Sequence, residues 1–283
     1  LTSLILSEQN LSFNQTDFDI AMQEQKDRSK KSGKIEKGDW EVLLEDDKEE
    51  FVGYTYLETE VKITRYRKVK TKDGEQYQLV FNLTSFYPEG GGQVGDTGVI
   101  ESQSEAIAIV DTKKENKLIV HFTDELPKNV NASFVAKVNA ADRKANERNH
   151  TVTHLLRESL RTVLGEHVVQ KGSLVNPNYL RFDFTHFAKI EKGDLQRIEQ
   201  DVNAKILANI ALNEHINLSL KQAEDMGAIM LFGEKYEDVV RMIQFDSSKE
   251  LCGGTHVSAT GEIGLFKIIS EGSTSSGIRR IEA

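Results

Sequence analysis

Two short stretches far apart in the chain restrict the fold more than anything else in it: HTVTH, His150 to His154, and CGGTH, Cys252 to His256, which holds the only cysteine. Histidines at i and i+4 on a helix sit one turn apart on one face, within reach of a single metal ion. Cys252 and His256 supply two further ligands, and a mixed His3Cys set suits zinc. If the two pairs share an ion, the fold must carry a helix near residue 150 against a loop near residue 254. Gly253 and Gly254 let that loop turn tightly enough for both of its ligands to face one way. Taken alone, HxxxH reads more readily as polar residues on a wet helix face, and the second pair makes the signal specific. A peptidase of the HExxH type lacks its general base here, because Thr151 follows the first histidine.

The segment ADRKANERNHTVTHLLRESLRTVLG predicts a helix over 141–164, stopped by Gly165. At about 100° per residue, Val152, Leu155, Leu156, Leu160 and Val163 gather on one side. His150 and His154 fall on the other, with Arg143, Arg157 and Arg161. The histidines therefore stand outside the core stripe.

The rest of the chain divides by pattern. NQTDFDIAMQEQKDRSKKSG, 14–33, predicts a helix that Thr16 caps and Gly33 stops, with Phe18, Ala21 and Met22 on one face. A boundary near residue 47 follows. Short strand-like runs (YQLVFN, AIAIV, KLIVHF, SFVAKV) between turns suggest a small antiparallel β-barrel-like domain over 48–140. Beyond it, over 141–283, helices mix with the strand candidates YLRFDF, INLSL, VVRMIQF, FKII and IRRI, so the fold class is α+β. Tyr179, Phe182 and Phe184 read as strand core. KITRYRKVKTK, Lys62 to Lys72, reads either as a basic patch or as a solvated strand.

One cysteine makes no internal disulfide, which fits a reducing compartment, and no apolar run or leader pattern points to a membrane or to export. A cytoplasmic protein is expected. The formal charge of −9 argues against indiscriminate nucleic-acid binding while leaving room for a local patch. The start at Leu1 suggests a fragment of a longer protein.

HTVTH together with CGGTHVSATGEIGLFKIISEGSTSSGIRRIEA, preceded by NLTSFYPEGGGQVGDTG, closely resembles the editing region of alanyl-tRNA synthetases. The resemblance covers nearly the whole chain. QTDFDIAMQEQKDRSKK resembles the end of the helical tRNA-recognition part, placing it within 1–47, and GAIMLFGEKYEDVVRMI resembles the stretch before the cysteine-histidine motif. Free-standing alanyl editing proteins share the histidine and cysteine motifs, and threonyl-tRNA synthetases carry a related module. The N-terminal helix favours the synthetase. Nothing here resembles the class II catalytic core, where ATP and Mg would bind, or the C-terminal dimerisation domain. Where the family usually has an aspartate two residues before the threonine of TxFY, this chain has Asn82.

The resemblance implies an editing hydrolase, with 141–283 as a zinc-containing editing core holding one ion on His150, His154, Cys252 and His256. Its substrate would be the ester joining serine or glycine to the acceptor end of alanine tRNA, with no DNA or membrane partner. Such a second site is needed because a missing methyl or a tolerated hydroxyl is worth only ~1–3 kcal/mol in the synthetic pocket. Catalytic roles are implied for Thr84, Gln93 and Cys252, with Thr84 and Gln93 reading serine's hydroxyl or orienting water, so that removing Gln93 should spare the zinc. Gly90, Gly91 and Gly92 offer close backbone approach to a ligand, although a Gly-rich loop in a β region also reads as a plain turn. Lys171, Ser173, Arg279 and Arg280, with Arg157 and Arg161, are expected to bind substrate. Two other readings stay open: a non-catalytic tRNA-binding module stabilised by zinc, and a free-standing trans-editing protein.

Overall fold

In the computed structural model, which describes residues 14, 16–23, 36–45, 50–71, 74–230 and 236–283, the first half is organised by one long strand, β3 (Glu58–Thr71). Its register shifts between Ile63 and Arg65. Ahead of that irregularity it pairs with β9 (Ser133–Val138), and beyond it with β4 (Gly74–Phe81), so a single bent strand serves two ladders. Adding β5 (Gly98–Glu101), β6 (Ala106–Ile109), β7 (Asp111–Glu115) and β8 (Leu118–Thr123) gives an antiparallel path ordered β6-β5-β9-β3-β4-β8-β7. Alternate residues along β6 and β9 are buried, which sends Ile107, Ile109, Phe134, Ala136 and Val138 into a core shared with Val61, Ile63, Leu79 and Phe81.

The expected barrel does not close. Among the described residues no ladder joins β6 to β7, because only Val110 separates them and its amide donates to the Phe122 carbonyl, carrying the chain from one edge to the other. The short strands β1 (Glu36–Lys37) and β2 (Glu41–Val42), which follow the segment predicted as a helix over 14–33, pair with β3. Of that segment, 16–23 is helical, and Asn14 rather than Thr16 acts at its start: the Asn14 side chain accepts from the Thr16 amide at 2.9 Å. The predicted stop at Gly33 lies outside the described residues. The basic run 62–72 belongs largely to β3, where Arg67 is buried against Gln78 and Glu115 and packs on Trp40.

The second half is built on α1 (Ala140–Leu164), started by the Asn139 side chain, which accepts from the amides of Ala141 and Asp142, and ended at Gly165. An antiparallel sheet ordered β10-β11-β16-β15 runs beside it, made of β10 (Gln170–Val175), β11 (Leu180–Thr185), β16 (Ile278–Glu282) and β15 (Ser270–Ser275). Val152, Leu155, Leu156 and Leu160 of α1 share a core with Phe182 and Phe184 of β11 and with Ile198 and Val202 of α2 (Lys192–Leu207). FKII, 266–269, is not a strand: Phe266 is buried, its amide donates to Asn203, and the strand begins at Ser270. A third sheet, β12 (Asn213–Ser219), β13 (Val239–Phe245) and β14 (Ser248–Leu251), carries α3 (Leu220–Asp225), which a Ser219–Gln222 capping box opens.

The halves meet at Arg143. Its guanidinium, 1% exposed, donates to the Gly53 carbonyl at 2.5 Å, to the Ser85 carbonyl at 2.8 Å and to the Asp96 carboxylate. No helix among the described residues is long and apolar enough to cross a membrane.

Candidate metal centre

His150 and His154 project from the middle of α1, and Cys252 and His256 from the loop that leaves β14. Their ligand atoms all lie within 4.8 Å of one another. Cys252 Sγ stands 3.5 Å from His150 Nε2 and 3.3 Å from His256 Nε2. Tetrahedral zinc with ordinary Zn–N and Zn–S lengths would hold such a pair about 3.5 Å apart. The donor set therefore fits one zinc ion. The two histidines of α1 are buried rather than wet, on the face opposite the leucine stripe.

Two of the three outer ring nitrogens, those of His150 and His256, are held from behind, as metal-ligating imidazoles require. His150 Nδ1 donates to Gln93 Oε1 at 2.8 Å, and that oxygen also accepts the Thr255 amide at 3.1 Å, while Gln93 Nε2 donates to Thr255 Oγ1 at 2.9 Å. These three bonds agree on one orientation of the glutamine amide. Thr151 Oγ1 stands 3.1 Å from His256 Nδ1 and accepts the Val257 amide. The residue that argued against a peptidase thus supports a ligand. Burial pushes the imidazoles down, His154 to about 3 with Arg157 and Arg241 adding to it, and His150 and His256 well below the usual value with neighbouring rings and Arg241 adding to it. All three are neutral near pH 7, with a lone pair for an ion.

The backbone of the ligand loop is pinned by groups the sequence did not single out. Arg241 of β13 donates to the carbonyls of Cys252 at 2.9 Å and Gly254 at 2.7 Å, and Tyr54 donates to that of Gly253 at 2.6 Å. The guanidinium lies 4.1 Å over the Tyr54 ring, with Glu214 on its Nε. The loop packs so tightly on the first histidine that a Cβ at Gly254 would stand 2.0 Å from His150 Cε1. A basic position within an alternating strand, near CGGTH, was the only signal for Arg241.

A cleft of about 230 Å³ opens on the cluster, lined in part by Gly91, Ser173, Glu237, Arg241 and Glu250. Gly90 and Gln93 exchange backbone hydrogen bonds, and Gly92, at φ +86°, approaches so close that a Cβ would meet the Ser173 carbonyl at 2.8 Å. Ser173 Oγ is buried at the cleft without a hydrogen-bond partner among the described residues. The other expected residues lie elsewhere or are engaged. Thr84 sits in the β half, 2.8 Å from His121 Nε2 and accepting the Phe86 amide. Asn82 accepts the Lys62 amide at 2.7 Å, a role that needs no charge. Arg157 is buried against Glu250 at 2.8 Å, and Arg161 ties the turn after α1 to the helix by donating to the carbonyls of Glu166 and Val168. Arg279 pairs with Glu271, Arg280 with Asp183, and Lys171 is exposed.

Residues 1–142 match the family model described as tRNA synthetases class II (A), and residues 240–282 match the threonyl and alanyl tRNA synthetase second additional domain. The chain is 54% identical over 283 residues to an alanine–tRNA ligase of Bacteroides fragilis, covering all of this chain and 32% of that protein. It is 53% identical to the ligase of Flavobacterium psychrophilum, covering all of this chain and 33% of that protein. With the ligase of Porphyromonas gingivalis the figures are 48% identity, all of this chain and 32% of that protein. The chain thus spans about a third of the length of the curated relatives it matches.

Proposed function

As the chain belongs to the class II (A) tRNA synthetases, and among them to the alanyl-tRNA synthetases, we propose that it is the editing part of such an enzyme, an aminoacyl-tRNA hydrolase acting on alanine tRNA mischarged with serine or glycine. The observation that carries this reading is the four-donor His3Cys cluster opening on a cleft beside the Gly-rich loop. The whole protein would charge alanine tRNA in the cytoplasm, with ATP and Mg bound in another part of it.

Bound zinc would supply a fixed positive charge and Lewis acidity at the end of the cleft. With four protein donors available to it, that charge suits positioning of the substrate more than generation of a nucleophile. Gln93 and Thr151 orient the ligand rings. Ser173 Oγ, buried at the cleft and unpartnered among the described residues, is suited to meet a serine hydroxyl, and the Gly90–Gly92 turn lets the backbone approach the ester. Alanine has no group to satisfy Ser173. Thr84, engaged with His121, supports this half of the site from within the β core.

The test is hydrolysis of serine-charged alanine tRNA by this chain, with the alanine-charged tRNA as control and zinc counted on the same sample. Loss of serine with alanine spared is the expected result. A full equivalent of zinc with no hydrolysis would favour the second reading, a tRNA-binding module whose zinc is structural, which the availability of four protein donors supports.

A further inference from the structure

Two of the three imidazoles have their outer nitrogens held, by Gln93 and Thr151, and the third does not. His154 Nδ1 is buried and has no hydrogen-bond partner among the described residues. A metal ligand with an unanchored ring would be the weak corner of the site, since the outer hydrogen bond fixes both the tautomer and the angle of the ring. Facing that nitrogen, 3.8 Å away, is Oε2 of Glu250, and both side chains are under a tenth exposed. The same oxygen accepts from Arg157 Nη1 at 2.8 Å. Glu250 stands two residues before Cys252 on one extended segment, so both side chains leave the same side, and both line the cleft. Arg157 stands one helical turn beyond His154 on α1.

We infer that Glu250 is the positioning residue for His154: it accepts the Nδ1 proton, turns the other ring nitrogen toward the ion, and is itself held by Arg157. A movement of ~1 Å brings the present separation to hydrogen-bond length, and an ion drawing in the ring would supply it. The arrangement completes the set of outer partners with a carboxylate–histidine–metal relay. It also gives Arg157 a use inside the protein, which its burial demands and contact with a tRNA would not meet. The inference rests on the zinc reading of the cluster, though not on hydrolysis.

The experiment compares the full chain with Glu250→Gln, Arg157→Met and the double variant. Each is measured for zinc affinity by chelator competition and, after cobalt substitution, for the thiolate-to-cobalt absorption band. Circular dichroism of the zinc-free forms identifies any variant that is unfolded. Glu250→Gln is expected to weaken zinc binding 10- to 100-fold and to shift the cobalt spectrum, because an amide oxygen accepts less strongly than a carboxylate. The double variant is expected to bind as weakly as Glu250→Gln. If the double variant regains the original affinity, the carboxylate serves only to neutralise Arg157 and the inference fails. It fails equally if Glu250→Gln keeps full affinity and an unchanged spectrum while hydrolysis is lost, since the carboxylate would then act on substrate. A chain that takes up neither zinc nor cobalt would remove this inference together with the zinc reading. The expected affinities without any hydrolysis would leave it standing and remove only the editing activity.

Discussion

A glutamine oxygen can accept two hydrogen bonds at once, and Gln93 uses its oxygen for His150 Nδ1 and the Thr255 amide. That geometry reverses the expectation that its removal would spare the metal. Gln93→Ala should weaken zinc retention roughly 10- to 100-fold, with hydrolysis falling in step; zinc per chain after dialysis against a graded chelator measures it. Retention of all the zinc with hydrolysis gone would make Gln93 a substrate-facing group instead. The imidazoles give a second expectation. His121, His150, His154 and His256 are all pushed down by burial, His121 to about 3. For a histidine depressed in the fold, the unfolded chain binds the proton first. Stability of the ion-free protein is then complete above the unfolded value near 6.5 and falls as the pH drops below it, by up to about 1.4 kcal/mol per pH unit for each ring. Urea midpoints of chelated protein should be level from pH 8 to 7 and drop steeply from 6.5 to 5. A level profile throughout would mean that the rings are open to water. The convergence of His150, His154, Cys252 and His256 was legible because the spacing of each pair carries metal-binding chemistry. Gln93, Tyr54 and Arg241 were not legible as their supports, since only the fold brings them to the loop.

The helix α1 serves two masters on opposite faces. Val152, Leu155, Leu156 and Leu160 enter the core, while His150, His154 and Arg157 turn to the centre and to Glu250. The periodicity separated these faces correctly but could not say that the second would also be covered. Leu156, fully buried, tests the division: Leu156→Ala should lower stability by about 2–5 kcal/mol in urea unfolding, with the zinc affinity of the folded protein little changed. A large loss of affinity in the folded variant would show that core packing sets the ligand geometry. Strands with alternating or continuous apolar residues were legible, among them YLRFDF and SFVAKV. SEGSTS was not, because β15 is an edge strand with mostly exposed small residues and its pairing is dictated by β16. FKII misled for the opposite reason: Phe266 is held by Asn203 rather than by a ladder.

The centre draws on both halves of the molecule: Gln93 and Tyr54 from the β half, the ligands and Arg241 from the other. Its geometry therefore depends on how the halves are joined, and Arg143 is the joint. Burying a guanidinium is costly unless its donors are used, and here they meet Asp96 and the carbonyls of Gly53 and Ser85. Arg143→Met would leave a buried carboxylate and two carbonyls without these donors, for which about 3–5 kcal/mol of lost stability is expected. Because Gln93 reaches His150 only while the halves stay docked, zinc release should coincide with the unfolding transition, at a lower temperature than in the parent protein. Thermal unfolding followed together by circular dichroism and a zinc-sensitive dye would record both. If the zinc instead stays on a folded second half after the β half has melted, the centre belongs to that half alone and Gln93 contributes little to holding it. Coincident transitions would mean that the cleft exists only in the docked molecule, so that the Gly-rich loop and the ligand loop act as one site.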